Sequence, residues 1–377
     1  MADEQIFDFV VIGAGIAGAS VAYELADSGS VMLLERESMP GYHSTGRSAA
    51  LYAPIYGPAP IRALTRASGA FFQAPPNGFC DADLLSPRDV VMIGRSDQKP
   101  HIDEFLAETV DAPGITQLTQ TEVTQYNPMI RPGYAAHGVL DRSGSDIDVN
   151  GLHRGFLRAA KQRGAALTIN AEVTACSRNG DVWVVATKQG TVRGNILINA
   201  AGAWAEQIGQ MAGAGPIGLT PKRRSAIMVD APDSVSLDTM PMTIDIEEDF
   251  YIKPDAGQLL LSPANEDPME PCDAQPDEMD IAICVDRIER AFDISIRRIN
   301  SKWAGLRSFV ADKSPVVGFS HEVDGFMWLA GQGGYGVQSS PAMGRVAAAI
   351  AQGVEIPADI IAHGFRPESI TIDRLSL

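Results

Sequence analysis

Two sets of residues have the types and spacing to do chemistry. The first is Gly13, Gly15 and Gly18, a G-x-G-x-x-G run between two apolar stretches, followed by Glu35. In such a run the first glycine permits a tight turn, the second lets a phosphate approach the backbone, and the third lets a helix pack on the preceding strand. The helix N-terminus then faces a pyrophosphate, and a carboxylate at position 35 can accept from a ribose diol while repelling a 2′-phosphate. The second set is basic. Arg307 stands in the apolar, strand-like "AGLRSF", where an unpaired guanidinium is costly and an anionic partner is needed. Lys222, Arg223 and Arg224 fall together in "PKRRSA", a charge run of the kind that ordinarily marks a solvated face. The two arginines alternate in direction if that segment is a strand.

These residues need elements to hold them. Residues 9–12 are a short β-branched run that reads as a buried parallel strand, 17–26 as a helix ending near Gly29, and 31–34 as the second strand. This is a βαβ dinucleotide unit, and by itself it leaves FAD and NAD equally open. A second strand–glycine–helix junction ends in "NAAGAW" (199–204). A third is "GQGGYGVQ" (331–338), with Ser339 or Ser340 as cap, Pro341 as first helical residue and Gly353 as stop. Between them, "DVVMIG" (89–94) reads as a strand, and 101–126 is helix-like and polar. A helix follows Asp148 or Asn150 and stops at Gly164. A β-meander turns at Asn179-Gly180 and Gln189-Gly190, and 216–307 is strand-rich with proline-rich loops. A chain that returns to its nucleotide three times suits FAD, the longer cofactor.

Composition sets the outer bounds. The chain has 377 residues, 45% of them hydrophobic, long enough for two domains. A formal net charge of −17 argues against nucleic acid or an anionic membrane surface as the main partner. The four cysteines (Cys80, Cys176, Cys272, Cys284) form no C-x-x-C and read as free thiols in a reducing compartment. The acidic start (Asp3, Glu4) has no basic n-region, so no secretory leader is expected. The six histidines do not group as metal ligands, and no metal is expected. The cytoplasm is the expected location, with peripheral attachment at an inner membrane as the alternative and no integral membrane segment.

"GYHSTGRSA" (41–49), "NAAGAW", "PKRRSA", "FYIKPDAG" (250–257), "SPANEDP" (262–268), "WAGLRSFVAD" (303–312) and "GQGGYGVQ" occur in an order that resembles the D-amino-acid oxidase/glycine oxidase superfamily of FAD enzymes. The similarity is greatest to its bacterial D-arginine dehydrogenase branch and covers nearly the whole chain. The resemblance implies an α/β (α+β) chain of two domains. One is a glutathione-reductase-like, Rossmann FAD-binding domain (1–50, 150–215 and 308–377). The other is a substrate-binding domain with a mostly antiparallel sheet (51–149 and 216–307).

The resemblance also implies non-covalent FAD. The expected cofactor contacts are Gly13, Gly15, Ile16, Ala17, Gly18, Glu35 and Arg36, then Ser44, Thr45, Gly46, Arg47, Ser48, Ala49 and Ala50 beside the pyrophosphate and flavin ring. To these it adds Val173, Ala200, Ala201, Gly202, Trp204, Gly305 and Arg307, and Gly333, Gly334, Tyr335, Gly336, Val337 and Gln338 at a helix N-terminus turned toward the flavin. His43 reads as an ordinary loop histidine, and no cysteine follows Cys284 to carry a C-terminal covalent link. For the substrate, the resemblance implies a carboxylate held by Arg224 and Arg307 with the Tyr251 hydroxyl, two arginines matching its geometry. It also places Tyr56 on a loop over the site and the Gly334 carbonyl against the amine.

Two positions depart from that branch: Leu51 stands where it has a histidine, and Val90, next to Asp89, where it has a glutamate that grips a guanidinium. The distal pocket therefore loses its anion unless Asp89 substitutes, and neutral or apolar D-amino acids become the expected substrates. The implied reaction is oxidative deamination by hydride transfer from Cα to flavin N5. The imino acid then hydrolyses to a 2-oxo acid, and oxygen or a quinone-like carrier takes the electrons. The sequence points to no general base. Two rival readings share these residues. One is an oxidation of a secondary amino acid (sarcosine-, glycine- or hydroxyproline-like) or of a 2-hydroxy acid on the same clamp. The other is a flavin-binding subunit without turnover.

Overall fold

The computed structural model describes residues 5–110, 112, 114–233 and 235–375. Its first strand, Ile6–Ile12, pairs in parallel with Val31–Leu34 on one side and Gly190–Asn199 on the other. Parallel pairing continues outward to Ala166–Thr168 and Phe326–Ala330, and antiparallel strands complete an eight-stranded sheet. Side chains alternate across it. Phe9, Val11, Leu33 and Ile198 enter one core with helices Ile16–Leu25, Val149–Gln162 and Gly336–Gln352. Val10, Ile12, Leu34 and Leu197 enter another with Trp183, Trp328 and helix Ala205–Ala212. Burial on both faces is why these strands read as unbroken apolar runs. The helix Val149–Gln162 is capped as the sequence predicts: Asp148 accepts from Gly151 N–H, and Gly164 takes φ +98° beyond its end.

The second sheet has nine strands, all paired antiparallel except Met242–Asp245 with Val90–Gly94. Val91, Ile93, Ile252 and Leu261 face helix Glu278–Ala291. Val90, Met92, Met242, Ile244 and Tyr251 face the other way, toward Ala49 and Leu51. A small third sheet joins Leu51–Tyr52 and Leu85–Pro87 to Ser145–Ile147. The molecule is therefore the mixed α/β structure that the sequence predicts. Among the described residues no helix is long and apolar enough to cross a membrane.

Four local readings change. Residues 101–126 contain a strand, Ile115–Thr119, between helices Lys99–Glu108 and Gln120–Tyr126. Helix Glu278–Ala291 interrupts the stretch 216–307 that reads as strands. Helix Ala59–Gln73 packs into the core of the eight-stranded sheet, although the resemblance places 51–149 in the substrate-binding unit. An amphipathic pattern states that a helix buries one face, not which sheet receives it. Pro341 lies inside the C-terminal helix, which begins at Gly336, and Ser339 and Ser340 do not cap it. Their hydroxyls donate backward, to Tyr335 O (2.8 Å) and Val337 O (2.9 Å). The second of these satisfies the carbonyl that Pro341, lacking an N–H, leaves without its helical donor.

Candidate active site

The glycine turn is built by contact. Gly13 takes φ +99° with its N–H on Leu34 O at 2.8 Å, and a Cβ there would lie 2.5 Å from Ala200 O. A Cβ on Gly18 would lie 1.8 Å from Gly13 O, so only glycine lets the helix sit on the turn. The helix starts at Ile16, whose N–H donates to Thr45 Oγ1 (3.0 Å). Glu35 is buried, and its carboxylate accepts from Ala14 N–H (3.0 Å) and Glu37 N–H (2.9 Å). Beneath the turn lies His153, Nε2 2.8 Å from Ala14 O; because a carbonyl only accepts, that nitrogen carries the proton. Burial pushes the His153 pKa down, so the ring stays neutral. The sequence reading missed this histidine, whose position within an ordinary amphipathic helix gives no sign of it.

Two open clefts meet at Gly15, Ser44, Thr45, Ala200 and Gly202. One, of about 890 Å³ counting the space at its mouth, is lined by Gly13, Glu35, Arg36, His43, Val173, Ala201 and Trp204 among others. Arg36 lies 4.4 Å over the Trp204 ring and His43 meets it tilted by 51° with the centroids 4.7 Å apart, its Nε2 2.9 Å from Glu37 Oε1. The other, of about 910 Å³, is lined by Ile16, Ala17, Ser48, Gly305, Gly333, Gly334, Gly336 and Val337, together with Arg224, Tyr251 and Arg307. A third cavity, of about 460 Å³, adjoins it across Ser48, Tyr251, Arg307, Gly334 and Val337. It adds Ala49, Ala50, Leu51, Tyr56, Met242, Ile244 and Gln338.

Strand register brings the two arginines together. In the antiparallel pair Thr220–Val229 and Ser301–Phe309, Arg224 faces Gly305 and Arg307 faces Lys222. Arg224 and Arg307 are thus diagonal neighbours on one face, within reach of each other's long side chains. Arg223 points the other way and is bound to Asp280 through Nε (2.8 Å) and Nη2 (3.3 Å). Arg224 is 6% exposed, and its Nε and Nη1 are buried without a hydrogen-bond partner among the described residues. No described residue hydrogen-bonds or ion-pairs with the Arg307 guanidinium. Burial, and then the charge of Arg307, push the Arg224 guanidinium below its ordinary pKa. Two cations side by side with free donors form an anion site. A Cβ on Gly334 would lie 2.7 Å from Arg307 Nη1, so glycine leaves the guanidinium its place. Burial holds the Tyr56 phenol well above its usual pKa, and the ring meets Tyr335 edge-on at 5.2 Å.

Several predicted residues take other positions. Gly18, Gly46 and Tyr335 line neither cleft: Gly46 N–H closes a turn on Gly41 O (2.8 Å), and Tyr335 packs with Ile61 and Phe309. Arg47 lines the second cleft, with its guanidinium bound to Ala274 O (3.1 Å), Ala304 O (2.8 Å) and Asp273. Ala49 and Ala50 line only the small cavity of the three. There the Gln338 amide holds the 53–56 loop by accepting from Ala53 N–H (3.0 Å) and donating to Tyr56 O (3.5 Å). Asp89 does not line that cavity, whose far wall is apolar: Leu51, Met242 and Ile244, with Val90 packed beside them. Glu266, 42 residues beyond Arg224, reaches it through strand pairing, and Lys313, just past the end of the Arg307 strand, joins it through Glu266; the sequence reading singled out neither.

The family described as "DAO: FAD dependent oxidoreductase" matches residues 8–350. The hydrogen cyanide synthase subunit HcnC of Pseudomonas aeruginosa is 24% identical over 423 residues, spanning 98% of each chain. Glycine oxidase from Geobacillus kaustophilus superposes with a TM-score of 0.82 at 20% identity, covering 93% of this chain and 96% of that one. Iminodiacetate oxidase from Chelativorans sp. BNC1 superposes with a TM-score of 0.78 at 20% identity, covering 92% and 96%.

Proposed function

The chain belongs to the DAO family of FAD-dependent oxidoreductases, and from that premise we propose that it oxidises a D-amino acid with a neutral or apolar side chain to the imino acid, which water converts to the 2-oxo acid and ammonia. The observation that carries this reading is the arginine pair, with Arg224 Nε and Nη1 buried and unbonded among the described residues, beside a cavity walled by Leu51, Met242 and Ile244.

The residues fit FAD. Two joined clefts give an elongated site, Gly13 and Gly15 leave the turn bare, and the N-termini of helices Ile16–Leu25 and Gly336–Gln352 open onto it. Glu35, Val173 and Trp204 suit the nucleoside end. Ser48, Gly333, Gly334 and Val337 suit the flavin end, where the 17-residue C-terminal helix adds a fixed positive dipole. Bound there, FAD supplies the acceptor for the hydride leaving Cα.

The protein's own work is positional. Arg224 and Arg307 bind the carboxylate, and the Tyr251 phenol lies in the lining of both the flavin cleft and the side-chain cavity. Tyr56 stays protonated and can donate. The Gly334 carbonyl, on the backbone packed against Arg307, is the acceptor for the substrate amine. The apolar wall excludes water and favours an uncharged side chain.

Anaerobic mixing with a panel of D- and L-amino acids tests the reading. Flavin absorbance near the visible maximum should bleach with neutral D-amino acids. Bleaching by L-isomers alone, or by none, rejects it. The same clamp would hold an N-substituted amino acid or a 2-hydroxy acid, and likeness to an iminodiacetate oxidase supports keeping the first of these as the second reading. Bleaching by N-methyl amino acids but not primary D-amino acids would select it.

A further inference from the structure

Among the described residues one carboxylate, Glu266, pairs directly with Arg224, while Glu248 acts on it from farther away, and the Glu266 carboxylate is oversubscribed. Glu266 Oε1 lies 3.3 Å from Arg224 Nη2, while its Oε2 accepts from Lys222 Nζ at 2.9 Å and from Lys313 Nζ at 3.0 Å. Both lysine contacts are shorter than the arginine's. Three cations therefore share one anion, and Arg307 adds a fourth positive charge on the same sheet face, in a chain whose net charge is −17. The lysines are held in place. Both ammoniums also lie near the Phe309 ring, 5.5 and 5.4 Å from its centroid. Lys313 takes φ +58°, a left-handed conformation that a non-glycine residue adopts only when its surroundings hold it there.

Without the lysines, Glu266 would be the natural partner of Arg224 and would compete with any incoming anion. With them, its charge is spent elsewhere while Arg224 keeps two buried donors free. The geometry points to Lys222, Lys313 and Glu266 as positioning residues that set the affinity of the Arg224–Arg307 site for a carboxylate. Glu266 orients Arg224 through Nη2, and the lysines cancel the charge that Glu266 would otherwise bring. The inference rests on the carboxylate reading of that site.

The two signs of charge give opposite predictions. Calorimetric titration of the FAD-loaded protein with sodium propionate measures carboxylate affinity without turnover. Lys222→Met/Lys313→Met leaves Glu266 to neutralise Arg224 and should weaken propionate roughly fivefold to tenfold; Glu266→Gln keeps an oxygen for Arg224 but removes the competing charge and should tighten it about threefold. In turnover, the changes should fall on KM, with kcat little altered. A purely structural role would make both variants weaken binding, and that result, or no change in either, overturns the inference. If the double variant does not retain FAD, Lys313→Met alone, at the more exposed position, should move affinity in the same direction by a smaller factor, and an unchanged affinity there counts against the proposal equally. Arg224→Gln and Arg307→Gln separate this from the premise. If they leave propionate affinity at the wild-type value, the carboxylate reading itself fails; if they abolish it while the lysine and glutamate variants do not move in opposite directions, only the present inference fails.

Discussion

Replacing Gly334 by alanine tests the arginine site without touching a charged residue. The backbone there does not lie in the left-handed region, so alanine is tolerated conformationally. The added Cβ would instead meet Arg307 at 2.7 Å from Nη1, 2.9 Å from Cζ and 3.1 Å from Nε. Ordinary contact needs about 3.5 Å, so the guanidinium must retreat by roughly 0.8 Å. The end of a long side chain can do this with little effect on stability, but a charge-assisted hydrogen bond cannot stretch that far. Losing one such bond is worth about 1.5–3 kcal/mol, or roughly 10- to 150-fold in affinity. Gly334→Ala should therefore retain FAD and its thermal midpoint while binding propionate, and the amino acid substrate, at least tenfold more weakly. In an Arg307→Met background the alanine should add almost nothing, because its effect is routed through the guanidinium. Wild-type affinity in Gly334→Ala, or full additivity with Arg307→Met, would refute the reasoning.

Other substitutions separate neighbours. Arg223→Gln loses its bond pair with Asp280 and should lower the thermal midpoint at unchanged propionate affinity, whereas Arg224→Gln should abolish that affinity; calorimetry and thermal unfolding together decide. Gly13→Ala forces φ +99° on alanine and drives its Cβ within 2.5 Å of the Ala200 carbonyl, so the purified protein should lose its visible flavin absorbance. Leu51→Asp places an anion in the apolar wall and should shift turnover toward cationic over apolar D-amino acids by about tenfold or more, read as the ratio of kcat/KM values. Burial raises Glu24 from 4.5 to about 7, a folded pKa above the unfolded one. Its contribution is therefore fully present below about pH 4.5 and lost as pH rises through 7. Glu24→Gln should match wild type near pH 4.5 and exceed it by ~3 kcal/mol at pH 8 in urea unfolding; equal stability at both values would exclude this origin.

Much of the architecture was legible because its signals are local. The glycine turn, the strands around it, the Asp148 cap and the hairpins at Gly180 and Gly190 each follow from residues adjacent in the chain. Helix Glu278–Ala291 was legible too, with Asp277 as cap and Ile281, Cys284 and Ile288 at helical spacing, yet it was read through as part of a strand-rich region. Pro341 misled because its usual place is the first turn, and in the interior position the Ser340 hydroxyl replaces the missing donor to Val337 O.

Local spacing is enough to establish that a dinucleotide turn is present and that Arg307, an ion in an apolar strand, needs a counter-charge. It also limited the partner arginine to one of two adjacent residues. Long-range pairing settles that Arg224 faces the cleft and Arg223 faces Asp280, because strand alternation fixes that the two differ in direction and not which one faces inward. It also decided that Arg47 spends its charge on Ala274, Ala304 and Asp273, and that Glu266 divides its own among three cations. The electrostatic character of a side chain depends on what long-range pairing brings within a few ångströms of it, and that distance is not written in its neighbours along the chain.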